Sequence, residues 1–372
     1  MFKRIFNIDW VLFWSVIPIL GAGLVTMSSF MGTDNYFSKQ FIWIVISLVA
    51  FFFVSSLDVR FLKKTEIISL GFAICCSVLF LLFAVGHVSK GAQSWFRLGF
   101  FSVQPSDPSK LMLILLLSKY FSRRHIEIAH IRHIIVSGVY AFIIFLFILI
   151  QPDFGSAIII FCIWLGMVLV SGISKKHLFL VFFIGALSFA TLWNFGFKEY
   201  QKARILNFIH PLADIQGSGY NAYQSTITVG SGQLIGKGIG YGTQSRLHFL
   251  PEYQTDFIFA AFSEEWGFIG SALIFLLFGI VIFRVLQNAL HGAGNFEILY
   301  GAGLAILFVS HFVINVGMNM GILPVTGITV PFMSYGGSHL LTEFVGLGIL
   351  MSMRKYSRPA HKDVIKNEFL GI

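Results

Sequence analysis

Between residues 298 and 342 the chain carries no Asp, Glu, Lys or Arg. A helix crossing a bilayer needs about 20 apolar residues, so this run is too long for one span. Pro324 and Pro331 break it into two, over roughly 298–322 and 335–354. Uncharged runs recur upstream at 11–33, 41–57, 134–150, 154–174, 178–197 and 266–283, and Ile67 to Lys90 brackets another span. None alternates as a barrel strand would, which leaves helices as the spanning element. A shorter run lies between Lys110 and Lys119. A helix there must include Lys110 and start near Ser106. Counting it predicts ten spans: an all-α polytopic membrane protein, one domain over 1–372.

Composition agrees. Hydrophobic residues make up 56% of the 372 and charged residues 12%, against about 25% charged in soluble domains. These figures exclude disorder, collagen, coiled coil and disulfide scaffolds. Cys75, Cys76 and Cys162 all lie in apolar runs and have no metal spacing. The net charge of +9 reads as topology and lipid contact rather than as nucleic-acid binding. With ten spans both termini share a side. Placing them in the cytoplasm puts 17 of the 26 Lys and Arg inside, as the positive-inside rule requires. The first span has no small-residue cleavage site after it and reads as an ordinary helix. The tail, 355–372, is polar and is expected in the cytoplasm.

One long extracytoplasmic loop, 197–255, is expected between spans 7 and 8. It is Gly-rich and carries Lys198, Lys202, Arg204, Lys237 and Arg246. A loop this long in a short-looped bundle is usually functional. Its run Gly230 to Gly242 fails the phosphate-loop test, because Gly232 is one residue too close to Gly236-Lys237 and Gly238 replaces the hydroxyl. It is either a flexible connection or a set of backbone N–H groups near a lipid-borne phosphate.

The loop passes into a helix at Thr255-Asp256-Phe257. Thr255 is expected as N-cap and Asp256 in the first turn, where a helix end favours negative charge. An ionised carboxylate at the bilayer rim can act as general base on a hydroxyl; the alternative is a capping residue alone. A helix over 256–283 would measure about 42 Å, longer than a hydrocarbon core of about 30 Å. Glu264 and Glu265 would then stand above the membrane or in a polar cavity. Asp107 and Lys110, at i, i+3, share a helix face at the rim. They form either the wall of a substrate cavity or a snorkelling pair. Asp153, after Gln151-Pro152, fits a helix cap. His125, His130 and His133 sit among arginines without a convincing metal pattern, and His311 and His339 fit hydrogen bonding within the bundle. Glu343 lies about two turns inside the last helix and needs a partner. No repeat is visible, which weighs against a repeat-built transporter.

Taken together, several runs resemble one family, SEDS (shape, elongation, division, sporulation). They are Gln104-Pro105-Ser106-Asp107, Gln151-Pro152-Asp153-Phe154-Gly155, Gly219-Tyr220-Asn221, Gly230-Ser231-Gly232, Gly236-Lys237-Gly238, Phe249-Leu250-Pro251-Glu252, Thr255-Asp256-Phe257-Ile258-Phe259, Glu264-Glu265 and Ser334-Tyr335-Gly336-Gly337-Ser338. The likeness covers nearly the whole chain in order. Gly242-Thr243-Gln244-Ser245 and the run Gly321 to Gly327 look more like the elongation-type, RodA-like branch than the division-type, FtsW-like branch.

The resemblance implies a peptidoglycan glycosyltransferase that polymerises lipid II at the outer face of the cytoplasmic membrane. It implies that Asp256 is the essential acid. It places Asp107, Lys110, Asp153, Arg204, Lys237, Arg246, Glu252 and Ser334 in substrate binding, with no metal ligand assigned. Asp107 stands where the family usually has Glu. A divalent cation, Mg or Mn, is compatible with this chemistry. A class B penicillin-binding protein is the implied transpeptidase partner, beside elongation machinery such as MreC/MreD; no nucleic acid is implied. The alternatives are a lipid II flippase, a division-type polymerase, or a scaffold that only activates a penicillin-binding partner.

Overall fold

A computed structural model describes residues 8–29, 36–85, 87–89, 92–98, 101–123, 131–197, 199–210, 219–247 and 249–355. His125, His130 and the tail beyond Lys355 lie outside these residues. The first seven helices are α1 (Trp10–Ser29), α2 (Tyr36–Ser56), α3 (Thr65–Val85), α4 (Ser106–Ser122), α5 (Ile131–Ile150), α6 (Phe154–Val170) and α7 (Lys175–Thr191). Three lie within the expected loop: α8 (Glu199–Ile209), α9 (Tyr220–Ser231) and the single turn α10 (Thr243–Arg246). The last three are α11 (Ile258–Leu290), α12 (Asn295–Asn319) and α13 (Gly337–Arg354). Seven of them (α1, α2, α3, α5, α7, α11 and α12) are long and apolar enough to cross a membrane. α4, α6 and α13 occupy the other three expected positions and are shorter or more polar.

The central helix is α12, whose residues are mostly buried. It packs against α11, α4 and α6, while α13 packs on α2, and α11 also on α1. α7 stands apart and buries none of its residues. Phe308, Phe332 and Phe344 fill the centre between α12 and α13.

One element was not expected. An antiparallel meander, β1 (His87–Ser89), β2 (Ala92–Leu98) and β3 (Phe101–Val103), carries the chain from α3 to the start of α4. It delivers Gln104 to the site. Pro108 is tolerated just inside α4, because first-turn N–H groups have no intrahelical partner. At α6 the expected cap is present: Asp153 Oδ1 accepts from the Ser156 N–H at 3.0 Å.

α11 departs from expectation twice. It begins at Ile258 with Phe257 as N-cap and no side-chain cap bond, so Thr255 does not cap it. The Thr255 hydroxyl turns back to the Glu252 carboxylate instead, at 3.2 Å. The helix also runs on to Leu290 and is broken at Gly267, with φ 67° and ψ −163°. The part before the break carries Glu264 and Glu265. The Gly-rich stretch repairs the break. Lys237 and Gly238 N–H donate to the Glu264 and Glu265 carbonyls at 2.9 and 3.0 Å, and Phe268 and Ile269 N–H donate to Gln233 and Leu234. A Cβ on Gly236 would overlap the Glu265 carbonyl. The glycines thus serve backbone-to-backbone docking, not a flexible connection.

The two described ends of the chain meet at one end of the bundle. Asp9, just before α1, is buried against Arg284 of α11 at 2.6 Å, Asn288 and, at 3.8 Å, Arg354 of α13. Lys63 pairs with Glu297 at this end.

Candidate active site

At the opposite end the chain between spans is irregular, and it is organised around Asp256. The segment 251–257 is a continuous run of turns, with Glu252 in the left-handed region at φ 53°. Its backbone is held from three directions. The Gln254 carbonyl accepts from the Tyr335 N–H at 2.8 Å. The Thr255 carbonyl accepts from Ser334 Oγ at 2.7 Å. The Asp256 carbonyl accepts from Asn315 Nδ2 at 2.9 Å and Asn319 Nδ2 at 3.0 Å, both from α12. Asn319 Oδ1 also accepts from the Ala260 N–H at 3.1 Å, in the first turn of α11. With its backbone fixed, the half-buried Asp256 side chain faces Gly327. A Cβ on Gly327 would stand 3.6 Å from Asp256 Oδ2.

The loop holding Gly327 forms one wall of a shallow cleft at Pro324–Thr326, whose other walls are Phe154 of α6 and Arg204 of α8. Arg204 and Asp256 therefore approach the same loop. Arg246 is exposed on α10.

Lys237 is already engaged, with Nζ 2.6 Å from Glu264 Oε1 and 2.8 Å from Thr243 Oγ1. Glu264 is fully buried and also accepts from the Gln244 N–H. Glu265 Oε1 accepts from the Gly240 N–H at 2.7 Å. The two glutamates, expected to face water or a polar cavity, instead clasp the Gly-rich stretch. Ser334 also accepts from the Val330 N–H at 2.8 Å. Its hydroxyl thus ties the turn at 251–257 to the segment 330–334.

The second half of the site lies beside the first, across the segment 334–339. Asp107 and Lys110 pair at 3.0 Å, each only 3% exposed. Ser338 Oγ donates to Asp107 Oδ2 at 2.9 Å and accepts from the Gln104 N–H at 3.2 Å. Gln104 Nε2 in turn donates to Asp153 Oδ2 at 2.8 Å. Asp153 therefore caps α6 and braces Gln104. Glu343 has its partners here: His339 Nε2 lies 3.0 Å from Oε1, and the Phe332 N–H donates to Oε2 at 3.0 Å. His339 Nδ1 lies 3.4 Å from Asp107 Oδ1.

Sequence reasoning missed Asn315 and Asn319. Their signal was present: two carboxamides four residues apart in an uncharged apolar run, where polar groups face the bundle interior. Among the described residues no group of three or more His, Cys, Asp or Glu could hold a metal ion.

A polytopic helical bundle with an acid set in irregular backbone at one end defines a membrane protein with a polar site at that end of the bundle. The sequence and fold together place it more narrowly. The chain belongs to the FtsW/RodA/SpoVE family of cell cycle proteins, whose profile matches residues 3–359. It is 35% identical over 328 residues to stage V sporulation protein E of Bacillus subtilis (strain 168), covering 87% of this chain and 89% of that one. It is 35% identical over 293 residues to peptidoglycan glycosyltransferase MrdB of Escherichia coli (strain K12), covering 79% of each. Among solved structures, a chain of a peptidoglycan synthase complex that coordinates polymerization and crosslinking superposes with a TM-score of 0.81 at 28% identity. That match covers 93% of this chain and 97% of that one.

Proposed function

We propose that this chain is a peptidoglycan glycosyltransferase that polymerises lipid II at the outer face of the cytoplasmic membrane, with both termini in the cytoplasm. The observation that carries the reading is the placement of Asp256: a half-buried carboxylate on a turn whose backbone is fixed by Ser334, Tyr335, Asn315 and Asn319. Fixing the backbone aims the side chain, which is what proton abstraction from a bound hydroxyl demands. Asp256 takes the proton of the acceptor sugar hydroxyl. The freed oxygen attacks the anomeric carbon of the donor, the bond from that carbon to the polyprenyl diphosphate breaks, and the diphosphate leaves with the electron pair. Cations stabilise that developing charge. Arg204 in the cleft and Arg246 on α10 are exposed and suited to this work. Lys237 and Lys110 each need a carboxylate partner to release them first.

The lipid tail lies laterally among the helices, where α7 buries nothing. A divalent cation, Mg or Mn, is compatible with this chemistry; Asp256 would be its protein ligand and the cation would add charge stabilisation at the diphosphate.

The solved complex, which coordinates polymerization and crosslinking, supports a crosslinking partner; we take that partner to be a class B penicillin-binding transpeptidase and add MreC/MreD-type machinery from the family resemblance. Elongation and rod-shape maintenance are preferred to division because of the runs at 242–245 and 321–327. The competing flippase reading requires polar groups through the midplane, whereas the carboxylates and cations described here gather at the two ends. Purified protein given labelled lipid II should make glycan strands, and Asp256→Ala should make none. Unchanged polymer from the variant removes Asp256 from the mechanism, and translocation without polymer favours the flippase.

A further inference from the structure

The polar cluster of α4 and α13 holds more charge than the reaction above uses. Two carboxylates, Asp107 and Glu343, are almost wholly buried. Lys110 neutralises one of them. His339 stands between the two, with Nδ1 3.4 Å from Asp107 and Nε2 3.0 Å from Glu343. A neutral imidazole has a proton on only one nitrogen. A bare ring nitrogen would then face a carboxylate oxygen, so this arrangement suits an imidazolium. Counting His339 as a cation, the four groups sum to zero charge, the state that burial favours. His311 of α12 stacks on His339 with ring centroids 4.6 Å apart, and its Nδ1 lies 3.3 Å from the Thr329 carbonyl. A carbonyl there calls for a proton on Nδ1, which a neutral ring supplies.

We propose that His339 is a positioning residue for the Asp107–Lys110 pair: a buried cation that balances Asp107 and so leaves the Lys110 ammonium able to move to an anionic substrate. This rests on the glycosyltransferase reading, which supplies the diphosphate. Without His339, moving Lys110 would strand a buried carboxylate, and the ammonium would stay locked. Glu343 holds the imidazolium from its far side. Asp107 reaches Lys110 with one oxygen and Ser338 with the other, so it keeps its orientation when the lysine moves.

Charge arithmetic supplies the test. His339→Gln leaves the cluster with one net negative charge and Glu343→Gln with one positive, so each single variant loses stability. The double variant is neutral again and should regain wild-type thermal stability. If His339 served only to neutralise Glu343, the double variant would also regain wild-type polymerisation. The proposal expects it to fold as wild type and yet polymerise lipid II roughly tenfold or more slowly, as misplaced catalytic groups do, with KM raised. A double variant polymerising at the wild-type rate overturns the proposal. Nitrogen-15 spectra of ring-labelled histidine in the wild-type chain give a second measurement independent of variant folding. Both His339 nitrogens should be protonated at pH 7, and a neutral ring there also overturns it. Wild-type protein and Asp256→Ala run alongside separate the two levels. No polymer from wild type removes the glycosyltransferase reading itself. Wild-type polymer with a fully active double variant removes only the role of His339.

Discussion

Asn319 is the residue whose loss should reveal how much the Asp256 turn depends on its clamp. It is fully buried. Its Nδ2 donates to the Asp256 carbonyl and its Oδ1 accepts from the Ala260 N–H. In Asn319→Ala the Ala260 N–H, in the first turn of α11, has no intrahelical substitute. An unpaired buried N–H costs about 1–3 kcal/mol. The Asp256 carbonyl keeps Asn315, so the second loss is nearer the average of about 0.6 kcal/mol for side-chain bonds between membrane helices. The sum is about 1.5–3.5 kcal/mol of stability. Activity should fall further than stability alone explains, by roughly 10- to 100-fold, because the carboxylate proposed as base loses its fixed position. Asn319→Asp sharpens the test. It keeps an acceptor for Ala260 but sets an unpaired buried carboxylate against the Asp256 carbonyl, so it should recover none of the stability and little of the rate. Thermal unfolding in detergent and polymerisation of labelled lipid II measure the two effects on one sample. Wild-type polymerisation by Asn319→Ala, or by Asn319→Asp, would refute the clamp.

Three other outcomes follow from the same geometry. Burial alone would raise the Asp9 carboxyl, but hydrogen bonds from Arg284, Asn288 and the Leu12 N–H, with the Arg284 charge, more than offset it and hold it below its ordinary value. Its contribution to stability is complete above the unfolded-state value of about 3.9 and is lost as pH falls through the lower folded-state value. Melting curves should therefore fall away below about pH 4, and Asp9→Asn should flatten that part of the profile. Lys237→Met strands the buried Glu264 and should cost about 3 kcal/mol, whereas exposed Arg246→Ala should change stability by less than about 0.5 kcal/mol and appear in KM for lipid II. Equal stability for the two variants would remove the Lys237–Glu264 clasp from the account. Gly236→Ala combines a left-handed backbone, φ 87°, with overlap of the Glu265 carbonyl. It should cost about 2 kcal/mol or more, read by thermal unfolding.

What the sequence makes legible follows from range. Spans could be read because charge is excluded from hydrocarbon whatever the neighbours are. Asp153 as a cap and Asp107 with Lys110 could be read because their partners lie three residues away. Glu343 needed a partner that the sequence did not reveal: His339 stands four residues before it, but the Phe332 N–H and the Asp107 beyond His339 come from other segments. Thr255 was misplaced because a good capping residue lost to a competing bond with Glu252 and the helix began two residues after Asp256. The Gly-rich stretch was ambiguous for a further reason. Nothing in its spacing says that α11 breaks at Gly267, and only that break gives its N–H groups their acceptors. The meander of β1, β2 and β3 lies between two apolar runs, and its short strands are too brief to leave the sustained period-2 pattern that announces strands.

The position of Asp256 in irregular backbone follows from the bilayer itself. A spanning helix satisfies its own backbone and holds its side chains to one spacing, whereas a non-helical segment can aim side chains freely but exposes unpaired groups. Such a segment survives near lipid only where protein satisfies it. The turn at 251–257 meets that condition by borrowing polar atoms from other elements: a hydroxyl from Ser334, a backbone N–H from Tyr335, carboxamides from Asn315 and Asn319. These groups act on the carbonyls of Gln254, Thr255 and Asp256 rather than on the Asp256 side chain. The residues that fix the proposed base are thus ones that act on backbone carbonyls. Substitutions among them should separate into losses of stability and losses of rate, because each one both completes the buried backbone and aims the carboxylate.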